Sequence, residues 1–196
     1  MLPRHQIPNA VTIGRILLIP PIVVLLALEH YLVAVVLLAI AGLSDALDGW
    51  LVRRYGWHTQ LGAWLDPAAD KLLMLGVYVA VTLSGLLPLW LLLLVVGRDV
   101  WLTAGSALYR LFVGPLAIRP LLISKVNTFL QITLVLVAIV KVGLLALDPI
   151  WVQLLMIVVA FTTLASGLAY TVQWGYYAWR HLRGHPYAAG TSGRKS

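Results

Sequence analysis

The chain predicts an all-α integral membrane protein, with six transmembrane helices in one bundle and an active site at the cytoplasmic side. Three observations predict it. Of 196 residues, 61% are apolar and 11% charged, the mean hydropathy is +0.94, and apolar runs near the roughly 20 residues of a spanning helix recur along the chain. Lysine and arginine gather on one side of those runs. Four of the seven carboxylates, Asp45, Asp48, Asp66 and Asp70, fall within one stretch of 26 residues.

The first run, Ala10 to Leu28, is entered through Pro8-Asn9-Ala10-Val11-Thr12-Ile13-Gly14-Arg15 and contains Pro20-Pro21. It ends at Glu29 without a small-residue cleavage pattern and is expected to stay in the membrane. Asn9, Thr12 and Arg15 share one helical face. One reading makes Asn9 an N-cap and lets Arg15 snorkel to headgroups. The second run, Tyr31 to Arg53, carries Asp45, Asp48 and Gly49; the third, Leu61 to Ser84, carries Gly62, Asp66 and Asp70.

The fourth run, Leu89 to Phe112, holds Arg98-Asp99 at its middle. Intramembrane ionisable residues mark function, and neighbours on a helix point about 100° apart, so Arg98 and Asp99 need not pair with each other. The fifth, Ser124 to Leu147, opens on Ile123-Ser124-Lys125-Val126-Asn127-Thr128, with Gln131 on the face of Asn127. The sixth, Ile150 to Arg180, exceeds a bilayer thickness, and its Trp174-to-Arg183 end is expected to run out as a basic, aromatic extension. Residues 1–180 then form one membrane domain and residues 181–196 a basic, flexible tail.

Arg4, Arg15, Arg53, Arg54, Arg110, Arg119, Lys125, Arg180, Arg183, Arg194 and Lys195 all fall on one side of these runs, which makes that side, with both termini, cytoplasmic. The opposite turns, at Glu29-His30, Ser84 to Pro88 and Asp148-Pro149, hold no lysine or arginine. There is no cysteine, so disulfides are excluded. The formal charge of +7 would suit anionic lipid, but positive-inside topology produces the same excess.

The four aspartates dominate the chemistry. An ionised aspartate at membrane depth costs roughly 3 kcal/mol, and four unpaired cost roughly 12 if the terms add, so something must neutralise them. Asp45 and Asp48 are three apart and Asp66 and Asp70 four apart, so each pair shares a helix face. If the two helices pack antiparallel, four carboxylates converge. Such hard oxygen ligands suit Mg²⁺ or Mn²⁺, and without cysteine or clustered histidine nothing argues for zinc.

These residues carry a resemblance. Asp45 to Asp70 reads D-x2-D-G-x2-V-R-x8-G-x3-D-x3-D, which resembles the signature of the CDP-alcohol phosphatidyltransferase family, with Val52 where the family usually has alanine. At about 5% usage per residue type, a chance match of its seven positions in a chain this long is on the order of one in ten million. The resemblance implies a CDP-linked lipid bound at a two-metal site, with Asp45, Asp48, Asp66 and Asp70 as metal ligands and Asp70 also as the base that takes the acceptor's proton. It places Asn9, Thr12, Arg15, Gly49, Arg53 and Gly62 beside the nucleotide. Family members are commonly homodimers.

The second half, with Arg98-Asp99-Val100, I-S-K-V-N-T-x2-Q from Ile123 and Phe161-Thr162-Thr163, is similar to the branch of that family that makes cardiolipin from CDP-diacylglycerol. That similarity implies phosphatidylglycerol as acceptor, met by Arg98, Arg119, Lys125 and Asn127, in a bacterial cytoplasmic membrane or an inner mitochondrial membrane. Two alternatives stand beside it. The sister reaction takes glycerol 3-phosphate as acceptor, and a cation transporter would use the aspartates as a transport site, although repeated halves are not evident. His58 and Lys71 are weaker candidates, and the tryptophans look interfacial or packed.

Overall fold

The structure, a computed structural model, describes residues 7–55, 60–112, 121–143 and 148–183. Among them it contains six helices: α1 Ile7–Ala27, α2 Tyr31–Tyr55, α3 Gln60–Leu83, α4 Leu89–Phe112, α5 Leu122–Gly143 and α6 Pro149–Leu182. The all-α expectation holds, one helix to each apolar run. Tyr31–Trp50, Leu89–Phe112, Leu122–Gly143 and Pro149–Trp179 are long and apolar enough to cross a membrane, whereas the apolar part of α1, Val11–Ala27, is shorter. α3 carries Asp66, Asp70 and Lys71 in its N-terminal half. Because α1 begins at Ile7, Asn9 lies inside its first turn and is not its N-cap. Asp148 takes that role for α6, its Oδ1 accepting the Ile150 N–H at 2.9 Å with Pro149 at the first helical position.

Contacts divide the chain into two compact units, Met1–Leu92 with Ile132–Leu154, and Leu93–Gln131 with Leu155–Ser196. In the first, α1 packs on both α2 and α3. Its buried residues are mainly apolar, among them Ile22, Leu26, Val77, Tyr78, Val81, Leu134 and Ile139. Gly143 lets α5 close on Tyr31 at the start of α2, where a Cβ would meet the tyrosine Cβ. The second unit differs in kind. Its buried described residues are Val95 and Val159 with the polar Asn127, Gln131, Thr163 and Ser166, and Gly105 makes room for the Trp174 ring.

Large apolar side chains point outward in both units, Leu17 at 70%, Leu83 at 78%, Phe112 at 82% and Phe161 at 72% exposure. In water such a surface would drive association; lipid covers it at no cost. Helical backbone is required there because hydrocarbon offers no partner for a free amide.

Two turns at one end of the first unit close in the same way. After α1, the Glu29 N–H donates to the Leu26 carbonyl at 3.1 Å and the His30 N–H to the Leu25 carbonyl at 2.8 Å. After α3, Gly85 donates to Thr82 at 3.0 Å and Leu86 to Val81 at 2.9 Å. Both are Schellman motifs, which need a left-handed residue just past the helix. Gly85 has φ +72° and Glu29 φ 62°, so one turn has glycine there and the other carries a side chain. Ser84 Oγ also donates to the Leu26 carbonyl at 3.1 Å, which places the C-terminal ends of α1 and α3 side by side and makes those helices parallel. Gly85→Ala should therefore lower stability and Glu29→Gly raise it, each by about 1 kcal/mol, read as opposite shifts in melting temperature in detergent.

Candidate active site

The parallel pairing of α1 with α3, and the antiparallel return of α2, bring the C-terminal half of α2 and the N-terminal halves of α1 and α3 to the same end. That is where the aspartates meet. Thr12 Oγ1 donates to Asp66 Oδ1 at 2.5 Å. One turn on, Arg15 Nη2 donates to Asp48 Oδ2 at 2.7 Å, and its Nη1 lies 2.7 Å from both Asp45 Oδ1 and Asp70 Oδ1. All four motif carboxylates are thus reached from α1, three by a single guanidinium.

Burial is uneven across this cluster. The Arg15 side chain is 1% exposed and Asp48 6%, while Asp45 and Asp70 are 49% and 54% exposed. The arginine is deep, and the outer carboxylates face the open end. Arg15 Nε is buried without a partner among the described residues. One of the two readings of Arg15 falls here. Arg15 is neither a headgroup anchor nor a surface charge, because three carboxylates outcompete lipid phosphate for a cation held at this depth. Thr12 is fully buried, with its hydroxyl donating to Asp66.

Four carboxylates with no nitrogen or sulfur donor among them form the kind of set that hard divalent cations take. One guanidinium leaves the three it touches with a formal excess of two negative charges. The donor chemistry therefore fits Mg²⁺ or Mn²⁺. The spacing reflects the guanidinium: among the described residues no three acidic or histidine side chains close on a common metal-sized point. Gly49 lies within α2, beside Asp48. The side chains of Asn9 and Arg53, and Gly62, lie outside the described residues, although each position belongs to a helix; His58 also lies outside them.

In the second unit, Arg98 pairs with Asp99, although helical spacing does not require it. Its Nη1 donates to Asp99 Oδ1 at 2.7 Å, and its Nη2 to Ser124 Oγ at 2.5 Å and Ser166 Oγ at 2.6 Å. A long guanidinium can turn back on the neighbouring carboxylate whatever the helical angle between their Cβ atoms, and at 9% exposure it gains from doing so. Its Nε is buried and unpartnered among the described residues. Sequence spacing could not reveal Ser166, which reaches Arg98 across 68 residues.

One turn along, Asn127 Oδ1 accepts from Thr162 and Thr163, each at 2.9 Å, and Gln131 Nε2 donates to Thr163 Oγ1 at 3.5 Å. Asn127 and Gln131 do share a face, and the Phe161-Thr162-Thr163 segment is their partner. Asn127 Nδ2 is left buried without a partner among the described residues. Lys125 is exposed. Arg119 and the segment 184–196 lie outside the described residues.

Comparison with known proteins identifies the family. The family model described as CDP-alcohol phosphatidyltransferase matches residues 5–174. The chain is 35% identical over 180 residues to a human protein named cardiolipin synthase (CMP-forming), covering 84% of this chain and 60% of that one. A rat protein of the same name is 36% identical over 182 residues, with the same coverage of 84% and 60%. A rice protein named CDP-diacylglycerol–glycerol-3-phosphate 3-phosphatidyltransferase 1, chloroplastic, is 37% identical over 187 residues, covering 86% of this chain and 57% of its own. The chain thus spans about 60% of the length of the animal relatives it matches. A complete aspartate signature, gathered at one end of three helices and inside a family match that runs from before α1 into α6, establishes that this chain belongs to the CDP-alcohol phosphatidyltransferase family.

Proposed function

We propose that the protein transfers a phosphatidyl group from CDP-diacylglycerol to phosphatidylglycerol, forming cardiolipin and CMP. The observation that carries this reading is the convergence of Asp45, Asp48, Asp66 and Asp70 on contacts from one helix. In the proposed site these four residues hold divalent cations, Mg²⁺ or Mn²⁺ and two in number, which when bound draw charge from the diphosphate. Asn9, Thr12, Gly49, Arg53 and Gly62 lie along the nucleotide, glycine allowing close approach to the backbone.

Asp70, half exposed at the open end, takes the proton from the terminal glycerol hydroxyl of the acceptor. The freed oxygen forms a bond to the phosphorus that carries diacylglycerol, and the bond from that phosphorus to the bridging oxygen of the diphosphate breaks. CMP leaves with the electron pair. Positioning and charge do most of the work in such transfers. The acceptor's phosphate is assigned to Arg98, Arg119 and Lys125, and its glycerol to Asn127; the buried unpartnered Nε of Arg98 and Nδ2 of Asn127 support these roles. Ser124 and Ser166 then act as positioning residues that orient the Arg98 guanidinium.

The proposed setting is a bacterial cytoplasmic or inner mitochondrial membrane. All six helices span it, with the aspartate end and both termini on the cytoplasmic or matrix side, residues 1–180 as the membrane domain and residues 181–196 as a basic tail. A homodimer is the proposed assembly. The rice relative favours a second reading, in which glycerol 3-phosphate is the acceptor and phosphatidylglycerol phosphate the product. Family membership offers nothing to a transport role.

CMP release from CDP-diacylglycerol, with product identification by mass spectrometry, separates the two acceptors: cardiolipin formed from phosphatidylglycerol supports the first reading, and phosphatidylglycerol phosphate formed from glycerol 3-phosphate supports the second. Asp70→Asn should leave CDP-diacylglycerol binding largely intact while cutting turnover by a factor of at least about 10²; retained turnover refutes the base assignment. Arg98→Ala should raise the KM for the acceptor more than that for the donor, and an equal loss of both would reduce Arg98 to a structural part.

A further inference from the structure

Arg15, which the resemblance places beside the nucleotide, reaches three of the four aspartates instead. Its guanidinium touches three carboxylates at 2.7 Å from two helices, it is 1% exposed, and its Nε has no partner among the described residues. An arginine has five N–H donors and cannot lose its charge. At this depth it must be matched by anions. The same oxygens, on Asp45, Asp48 and Asp70, are those a divalent cation would need, and they are spread around the guanidinium instead of closing on one another.

We propose that Arg15 is an internal counter-cation that competes with divalent metal for the aspartates and is handed from them to the diphosphate of the donor lipid. While the guanidinium holds the carboxylates it offsets their mutual repulsion and keeps α1, α2 and α3 in register. Metal entry takes those oxygens and leaves a buried guanidinium with its donors unmatched, which is costly. The anion that resolves this is a diphosphate, whose oxygens accept the paired N–H groups of an arginine. Metal without nucleotide is then held weakly, and the two bind with positive coupling. The arrangement ties assembly of the charged site to arrival of the substrate.

This inference rests on the proposed metal site, and the test separates the two. Mn²⁺ binding to the full chain in detergent is followed by electron paramagnetic resonance, with CDP as a soluble diphosphate probe, for wild type, Arg15→Gln and Arg15→Lys. Lysine keeps the charge but cannot bridge three carboxylates, and it guards against loss of fold in the glutamine variant. Both variants should bind Mn²⁺ alone at least about five-fold more tightly than wild type, the lower end of typical coupling between sites. With Mn²⁺ saturating, both should bind CDP about ten-fold more weakly. These opposite signs would not arise from a purely structural role.

Mn²⁺ affinity unchanged or weakened in Arg15→Lys overturns the exchange, even if Arg15→Gln tightens, because charge alone would then account for the effect. Parallel weakening of Mn²⁺ and CDP also overturns it and makes Arg15 a structural pin. Wild type that binds no Mn²⁺ at all removes the metal site itself, and the inference with it.

Discussion

Charge in a low-dielectric surrounding is the constraint on which the first unit depends. Four carboxylates cannot share one end of a membrane bundle unless cations meet them, since each ion loses several kcal/mol of hydration and regains it only through close, well-formed contacts. Arg15 supplies the first of those contacts from within the chain. Its demand is geometric as well as electrostatic. One guanidinium reaching Asp45, Asp48 and Asp70 requires α1 to lie against both α2 and α3 at the level of the motif, and Thr12 on Asp66 pins the same face one turn earlier. Parallel α1 and α3, with α2 returning between them in sequence, satisfy this with short turns. The two Schellman closures at the far end hold that arrangement.

The second unit meets the same constraint by a different route. Its buried set is mostly polar, and nearly every group in it is spoken for: Asp99, Ser124 and Ser166 around Arg98, then Thr162, Thr163 and Gln131 around Asn127. In lipid, hydrophobic burial does little to hold helices together, so hydrogen bonds and close packing between them carry more of the burden. The clearance that Gly105 leaves for Trp174 is the packing half of that solution. Each polar cluster keeps one buried donor without a partner among the described residues, Arg98 Nε and Asn127 Nδ2, and such a donor is expensive to maintain.

The six helices and the aspartate set were legible before any coordinates, because both depend on local information. Apolar runs of spanning length declare helices whatever their neighbours, and three- or four-residue spacing places Asp45 with Asp48, and Asp66 with Asp70, on common faces by helical geometry alone. Asn127 with Gln131 was legible for the same reason. Less was legible where a side chain's partner was remote or its reach long. One reading of Arg15 made it an anchor because a basic residue near a helix entrance usually is one, and the pairing of Arg98 with Asp99 was left open because backbone angle says little about where a long guanidinium ends.

By itself, then, the sequence determined the all-α class, the helix boundaries to within a few residues, the acidic signature and the family. Tertiary structure alone decided that α1 completes the aspartate site, that Arg15 is buried among its carboxylates, and that Ser166 holds Arg98. The physical reason is range. Hydropathy and helical periodicity act over one or two turns and are written in neighbouring residues. Charge compensation joins residues 33 and 55 positions apart, as Arg15 to Asp48 and Asp70, and those pairings exist only once the helices have packed.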